Sequence, residues 1–260
     1  MASNISPRFL QIANALSILA ALAVNLLANV IPLNGVTTGA VADSYPNLFT
    51  PPGYVFAIWG VIYILLGVFM VYQVRANQRD APYLKQIGLW YVLASLANIT
   101  WLFLFHYSYG MPALLVLSMV PIVVLLFSLL IIYLRLGIGK TAVAMKERLA
   151  VHLPVSVYLG WISLATIANT ASVLNVLIPG IPLDVQALWT AVVIVVALVI
   201  TILMIIRRNE IAFPLVVIWA SVGIAVKQMA TQTIYATALS AAIIIAVVTV
   251  LFAVFRRRKK

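Results

Sequence analysis

The chain is divided into apolar runs of similar length, and that repeated length constrains the fold more than any motif does. The hydrocarbon core of a bilayer, about 30 Å thick, takes roughly 20 apolar residues per helix. With that window the sequence predicts spans near residues 9–32, 53–74, 87–106, 111–134, 150–177, 186–206, 212–229 and 233–255. Of 260 residues, 65% are hydrophobic and 8% charged, against about 25% charged in an ordinary soluble domain. A soluble fold of this size cannot hide so much apolar surface, so the chain reads as an all-α integral membrane protein.

The charges test the count of spans. Arg8 precedes the first span, and Arg75, Arg79 and Lys85 lie between the second and third. Arg135, Lys140, Lys146 and Arg148 follow the fourth, Arg207 and Arg208 the sixth, and Arg256 to Lys260 end the chain. The alternate loops carry only Asp43 and Asp184. By the positive-inside rule both termini are cytoplasmic, and eight spans fit the alternation where seven or nine break it. The weakest junction is the barely polar "MATQTI" before the last span. The length of the first apolar stretch, and its Asn14, Asn25 and Asn29, favour a retained helix over a cleaved signal peptide. The expected location is therefore the cell membrane, as a multi-pass protein.

Several function classes fall away. The net charge of +11 sits in short clusters between apolar runs, which is how a membrane protein records orientation, so nucleic acid is not an expected partner. With no cysteine there is no disulfide, thiolate metal site or cysteine nucleophile. His106 and His152 fall at opposite ends of their spans and read as no metal pair. Asp80, Glu147 and Glu210 accompany basic residues in loops and read as solvated charges. No paired acids, nucleophile motif or phosphate loop appears, so no enzyme is expected.

Polar residues inside spans carry more information, because such groups need partners in hydrocarbon. Asn14, Asn25 and Asn29 share one helical face. Asn98 and Trp101 are neighbours at i, i+3, and Trp161, Ala165 and Asn169 repeat at i, i+4, i+8 with Tyr158 one turn earlier. Taken singly, each asparagine is more often helix–helix glue than a ligand contact. Trp189, near a span end, reads as interfacial, whereas Trp161 lies near the middle of its helix. The second span opens with Pro51-Pro52-Gly53, and proline is tolerated at a helix start because its missing N–H would be unpaired there. The turn sets a fixed angle into a helix rich in rings.

"PPGYVFAIWGVIYILLG" resembles the second-helix signature of the TspO/MBR family, the tryptophan-rich sensory proteins related to the translocator protein. Pro-Pro-Gly-aromatic is followed by Trp59 and, four residues on, Tyr63; Asn98 and Trp101 match an Asn-x-x-Trp; Trp161, Ser163, Ala165 and Asn169 match a Trp-x-Ser-x-Ala-x-x-x-Asn. These matches cover roughly residues 50–175. Tyr54 stands where the family usually has tryptophan, and one residue is missing between Phe56 and Trp59, where Ala57 replaces a common proline.

The resemblance implies a five-helix bundle over residues 1–180 that binds tetrapyrroles, such as a porphyrin or haem, or other flat hydrophobic molecules, including sterol-like ones. It implies a pocket lined by Tyr54, Trp59, Asn98, Trp101, Tyr158, Trp161, Ala165 and Asn169, with residues 33–52 as its lid. No cofactor is required, and porphyrin breakdown enters only through the resemblance. The expected function is a membrane receptor or sensor.

Residues 181–260 form a three-helix extension with a basic tail. It could cap the bundle, mediate oligomerisation (a homodimer being one form) or add a transport element. Lys227 stands inside the seventh span near its outer end. Snorkelling explains it, and so does a cavity-lining role with Asp184, Asp43 or a ligand carboxylate as partner. Trp219, Gly223 and Lys227 repeat the i, i+4, i+8 rhythm of the fifth span, hinting at a duplicated ligand-facing pattern. The alternative function is therefore a transporter using all eight helices, with Lys227 at the substrate or coupling site. A purely structural membrane protein is the third reading.

Overall fold

The computed structural model describes residues 5–257, without the side chains of Asn29, Arg256 and Arg257. Residues 258–260 and the side chains of Arg256, Arg257 and Asn29 therefore lie outside the described residues. Within them the chain is all helix and turn. Its helices are α1 (Pro7–Val30), α2 (Thr38–Ser44), α3 (Ile58–Gln73), α4 (Pro82–Ile87), α5 (Trp90–Tyr107), α6 (Pro112–Arg135), α7 (Met145–Glu147), α8 (Leu153–Leu177), α9 (Leu183–Arg208), α10 (Ala212–Lys227) and α11 (Gln232–Arg257). Helices stand at all eight places where spans are predicted. Six of the helical segments are long and apolar enough to cross a membrane. The other two are α5, whose tryptophans, asparagine and histidine dilute its apolar run, and α10, whose 16 residues reach about 24 Å at 1.5 Å per residue. This is a multi-pass, all-α membrane protein in contact with lipid.

The ends of the helices follow from local chemistry. Ser6 caps α1 by accepting from the Phe9 N–H, with Pro7 in the first turn. A π-turn over Arg148–His152 leads into α8, whose early Pro154 cannot donate to a regular ladder. Asn209 adopts a left-handed conformation to end α9, and its amide donates to Gly139 O at 3.1 Å.

Packing closes five of the long helices into a ring in the order α1, α3, α8, α6, α5 and back to α1. Side-chain bonds pin it at the basic end. Gln11 and Gln73 donate to one another's backbone carbonyls at 2.6 and 3.2 Å, and Asn14 donates to Gly88 O at 3.2 Å. Helix α8 is the most enclosed span, with 13 of its 25 residues buried, whereas α9 buries 4 of 26, so α8 is central and α9 faces lipid. The last three helices pack on one another and join the ring through α10 against α8. Gly160 permits that approach, because a Cβ there would lie 3.2 Å from the Val216 Cβ.

Glu210 differs from its sequence reading. It is buried, accepting from Tyr133 Oη at 3.2 Å, Ser156 Oγ at 3.0 Å, and the Ile211 and Ala212 N–H groups at 3.1 and 2.9 Å. It caps α10 and ties it to α6 and α8.

Candidate functional site

Residues 31–52 fold over one end of the ring as a short turn followed by α2. On one side Asn34 donates to the carbonyls of His106 and Tyr109, Thr38 Oγ1 meets His106 Nε2 at 3.0 Å, and Tyr45 donates to Ser108 O. On the other, Asn47 donates to Ser172 Oγ at 2.9 Å, and Asn175 to Pro46 O at 2.8 Å. Asn47 Oδ1 also accepts from the Phe49 and Thr50 N–H groups, which shapes the chain as it reaches Pro51. The lid is fastened to α5 and α8.

Beneath it lies a cleft of about 570 Å³ of atom-free space including its open mouth, of which about 40 Å³ can hold the centre of a water molecule. That inner space suits about three waters, so the cleft is a narrow slot. Its floor is aromatic. Trp59, Trp101 and Phe105 form a ladder of near-parallel rings, with successive centroids 6.2 and 5.0 Å apart and interplanar angles of 28° and 20°; Tyr63 continues it outside the cleft, 5.7 Å from Trp59 at 24°. Trp161 meets Trp59 edge-on at 6.2 Å and Phe56 at 5.7 Å. Such contacts fix ring orientation beyond what burial alone does.

Polar groups are few. Asn169 Oδ1 accepts from Trp101 Nε1 at 3.4 Å, while its amide donates to Ser118 Oγ at 3.1 Å. Ser118, the acceptor, sits one turn before Pro121 of α6, where proline interrupts the helical ladder. Trp161 also lines the cleft, is 3% exposed, and its indole N–H has no hydrogen-bond partner among the described residues. A buried, unpaired donor costs about 1–3 kcal/mol.

Of the nine residues singled out from sequence, Trp59, Trp101, Trp161, Ala165 and Asn169 line this one cleft. Asn98 and Tyr158 line a second, smaller chamber with Asn25, Tyr63 and Tyr91. There Asn25 donates to Asn98 Oδ1 at 2.6 Å and accepts from Tyr63 Oη at 2.9 Å, joining α1, α3 and α5. Tyr158 touches Trp59 edge-on at 6.0 Å. Tyr54 is 53% exposed and packs against Trp219 instead. Lys227 is also outside the cleft, paired with Asp43 of the lid at 2.7 Å.

Trp219, Gly223 and Lys227 share a face, but it meets the lid. Trp219 Nε1 donates to Val55 O at 3.0 Å, and Gly223 leaves room for Val55 and Pro51. Sequence reasoning missed Ala220 and Ile224 of α10, which line the cleft; as ordinary apolar residues they carry no signal. Phe49, Thr50 and Pro51 bring the lid itself into the wall.

A family model described as TSPO-like protein matches residues 11–251, from α1 through most of α11, so the match does not stop at the five-helix ring. Comparison with curated proteins and with solved structures gives no match.

Proposed function

The chain belongs to the TSPO-like protein family, and from that premise we propose that it is a membrane receptor or sensor for a tetrapyrrole or similar flat hydrophobic molecule. The observation that carries the reading is the ring ladder of Trp59, Trp101 and Phe105 beside a Trp161 N–H that is buried and unpaired. Stacked ring faces favour a planar partner, and the idle donor favours one bearing an acceptor nitrogen or oxygen. Because the slot is narrow, a macrocycle enters by parting the lid from the ring. The residues act by stacking and positioning, without a catalytic step.

The basic end faces the cytoplasm and the lid the opposite side. Arg75, Arg135 and Arg208 lie over Tyr72, Trp90 and Tyr133 at 5.1, 5.6 and 5.6 Å, anchoring guanidinium groups at the ends of α3, α6 and α9.

The test is quenching of intrinsic tryptophan fluorescence by protoporphyrin IX in detergent, for wild type and Trp161→Phe. Saturable quenching that weakens in the variant is expected. Linear quenching, identical in both, would mean partition into the micelle and would overturn the reading.

A further inference from the structure

Helix α10 lies outside the segment that carries the sequence motifs, yet it forms part of the cleft wall. Ala220, 2% exposed, and Ile224 one turn later are lining residues. Alanine recurs in the part of the wall that is not aromatic, as Ala42 from the lid, Ala165 and Ala168 from α8, and Ala220 from α10. The position of α10 is held from both sides. Gly160 lets it approach α8, Gly223 lets the proline turn approach it, and Trp219 bonds to Val55 O. A side chain at 220 therefore cannot swing away from the cleft by moving its helix cheaply.

We propose that Ala220 is a specificity-determining residue of the ligand cleft, its single methyl setting the size of planar ligand the slot admits. The C-terminal helices are then a built part of the binding site. The inference rests on the reading of the cleft as a site for flat ligands and adds the residue that selects among them. A slot with about 40 Å³ of inner room has no slack for added atoms, because packed interiors resist even one extra methylene. A macrocycle is wider than a linear tricycle, so added atoms at position 220 should discriminate against the macrocycle first.

The experiment is a series with Gly, Ala, Val and Phe at position 220, in lipid nanodiscs. Protoporphyrin IX is followed by its main absorption band and anthracene by its fluorescence. Ala220→Val should weaken protoporphyrin binding about tenfold or more, the scale of small steric changes in apolar pockets, while sparing anthracene. Ala220→Phe should abolish protoporphyrin binding, and Ala220→Gly should retain it. Val222→Phe, at a residue 40% exposed on the same helix, should leave both unchanged.

Should the phenylalanine variant fail to fold, Ala220→Cys keeps the question open to measurement, because the chain has no other cysteine. A methanethiosulfonate reagent should modify it, and protoporphyrin should protect it. Equal protoporphyrin affinity in wild type, Val and Phe proteins, or a cysteine that protoporphyrin does not protect, overturns the role of Ala220 alone. A wild type that binds no protoporphyrin overturns the receptor reading and this inference with it.

Discussion

The Lys227–Asp43 pair separates a lid fastening from a transport lysine, and its magnitude can be worked from the structure. The two side chains are 30% and 56% exposed at a separation of 2.7 Å. Ion pairs this accessible contribute about 0.2–1 kcal/mol. The lid has other fastenings, among them Thr38 on His106 and Asn47 on Ser172, so losing one pair loosens it without releasing it. Converted at about 1.4 kcal/mol per tenfold, the loss speeds lid opening by about 1.4-fold to fivefold.

The assay is stopped-flow release of protoporphyrin from wild type, Lys227→Ala, Asp43→Ala and the double variant. Each single variant should release faster within that range, and the double variant no faster than the singles. Exchanging the charges (Asp43→Lys with Lys227→Asp) should restore slow release. At about 1 M salt, where the screening length is near 3 Å, wild type should approach the variants. Strictly additive single effects would refute the pairing as the cause. Abolished substrate flux in Lys227→Ala, with unchanged release kinetics, would refute the fastening and favour the transport lysine.

Three further outcomes follow from buried contacts. Glu210→Ala removes the cap of α10 and strands the Tyr133 and Ser156 hydroxyls, so stability should fall by about 2–4 kcal/mol, read as a lower unfolding midpoint in detergent; Glu210→Gln should fall less. Gly223→Val forces a side chain onto Val55 and Pro51, which should cost about 1–3 kcal/mol and displace the proline turn, read as faster hydrogen exchange over residues 53–57. Asn169→Leu keeps the volume but removes the acceptor for Trp101 Nε1; at about 0.6–1.7 kcal/mol for an interhelical bond in a membrane, protoporphyrin affinity should drop about threefold to fifteenfold.

How far the fold was legible depends on whether a signal is local. Apolar length is local, so helices stand at all eight predicted places, with the second entered through a tight turn over Gly53–Ala57. Periodicity within one helix is nearly as local. Trp161, Ala165 and Asn169 share a helical face by spacing, and all three line the cleft. Tyr54 shows where that reasoning fails. It sits in a turn with three residues per revolution instead of 3.6, which aims its ring at Trp219 and away from the cleft.

Contacts made across many residues leave no trace in a local reading. Glu210 beside two arginines looks solvated, yet its hydroxyl partners lie 77 and 54 positions away. The Trp219, Gly223, Lys227 stripe repeats a cleft-lining rhythm because both face a packed neighbour. Only the structure identifies that neighbour as the lid. Ala220 was invisible because an alanine in an apolar helix is common everywhere.

The central claim, a flat ligand seated among the cleft tryptophans, is tested most directly by a photo-oxidation footprint. Protoporphyrin IX is illuminated in air with the protein in nanodiscs, and oxidised tryptophans are mapped by peptide mass spectrometry. Saturable oxidation of Trp59, Trp101 and Trp161 is expected, ahead of Trp189, which is 65% exposed outside the cleft. Oxidation of Trp189 first, or equal labelling that rises linearly with porphyrin, would place the ligand in the bilayer and contradict the account.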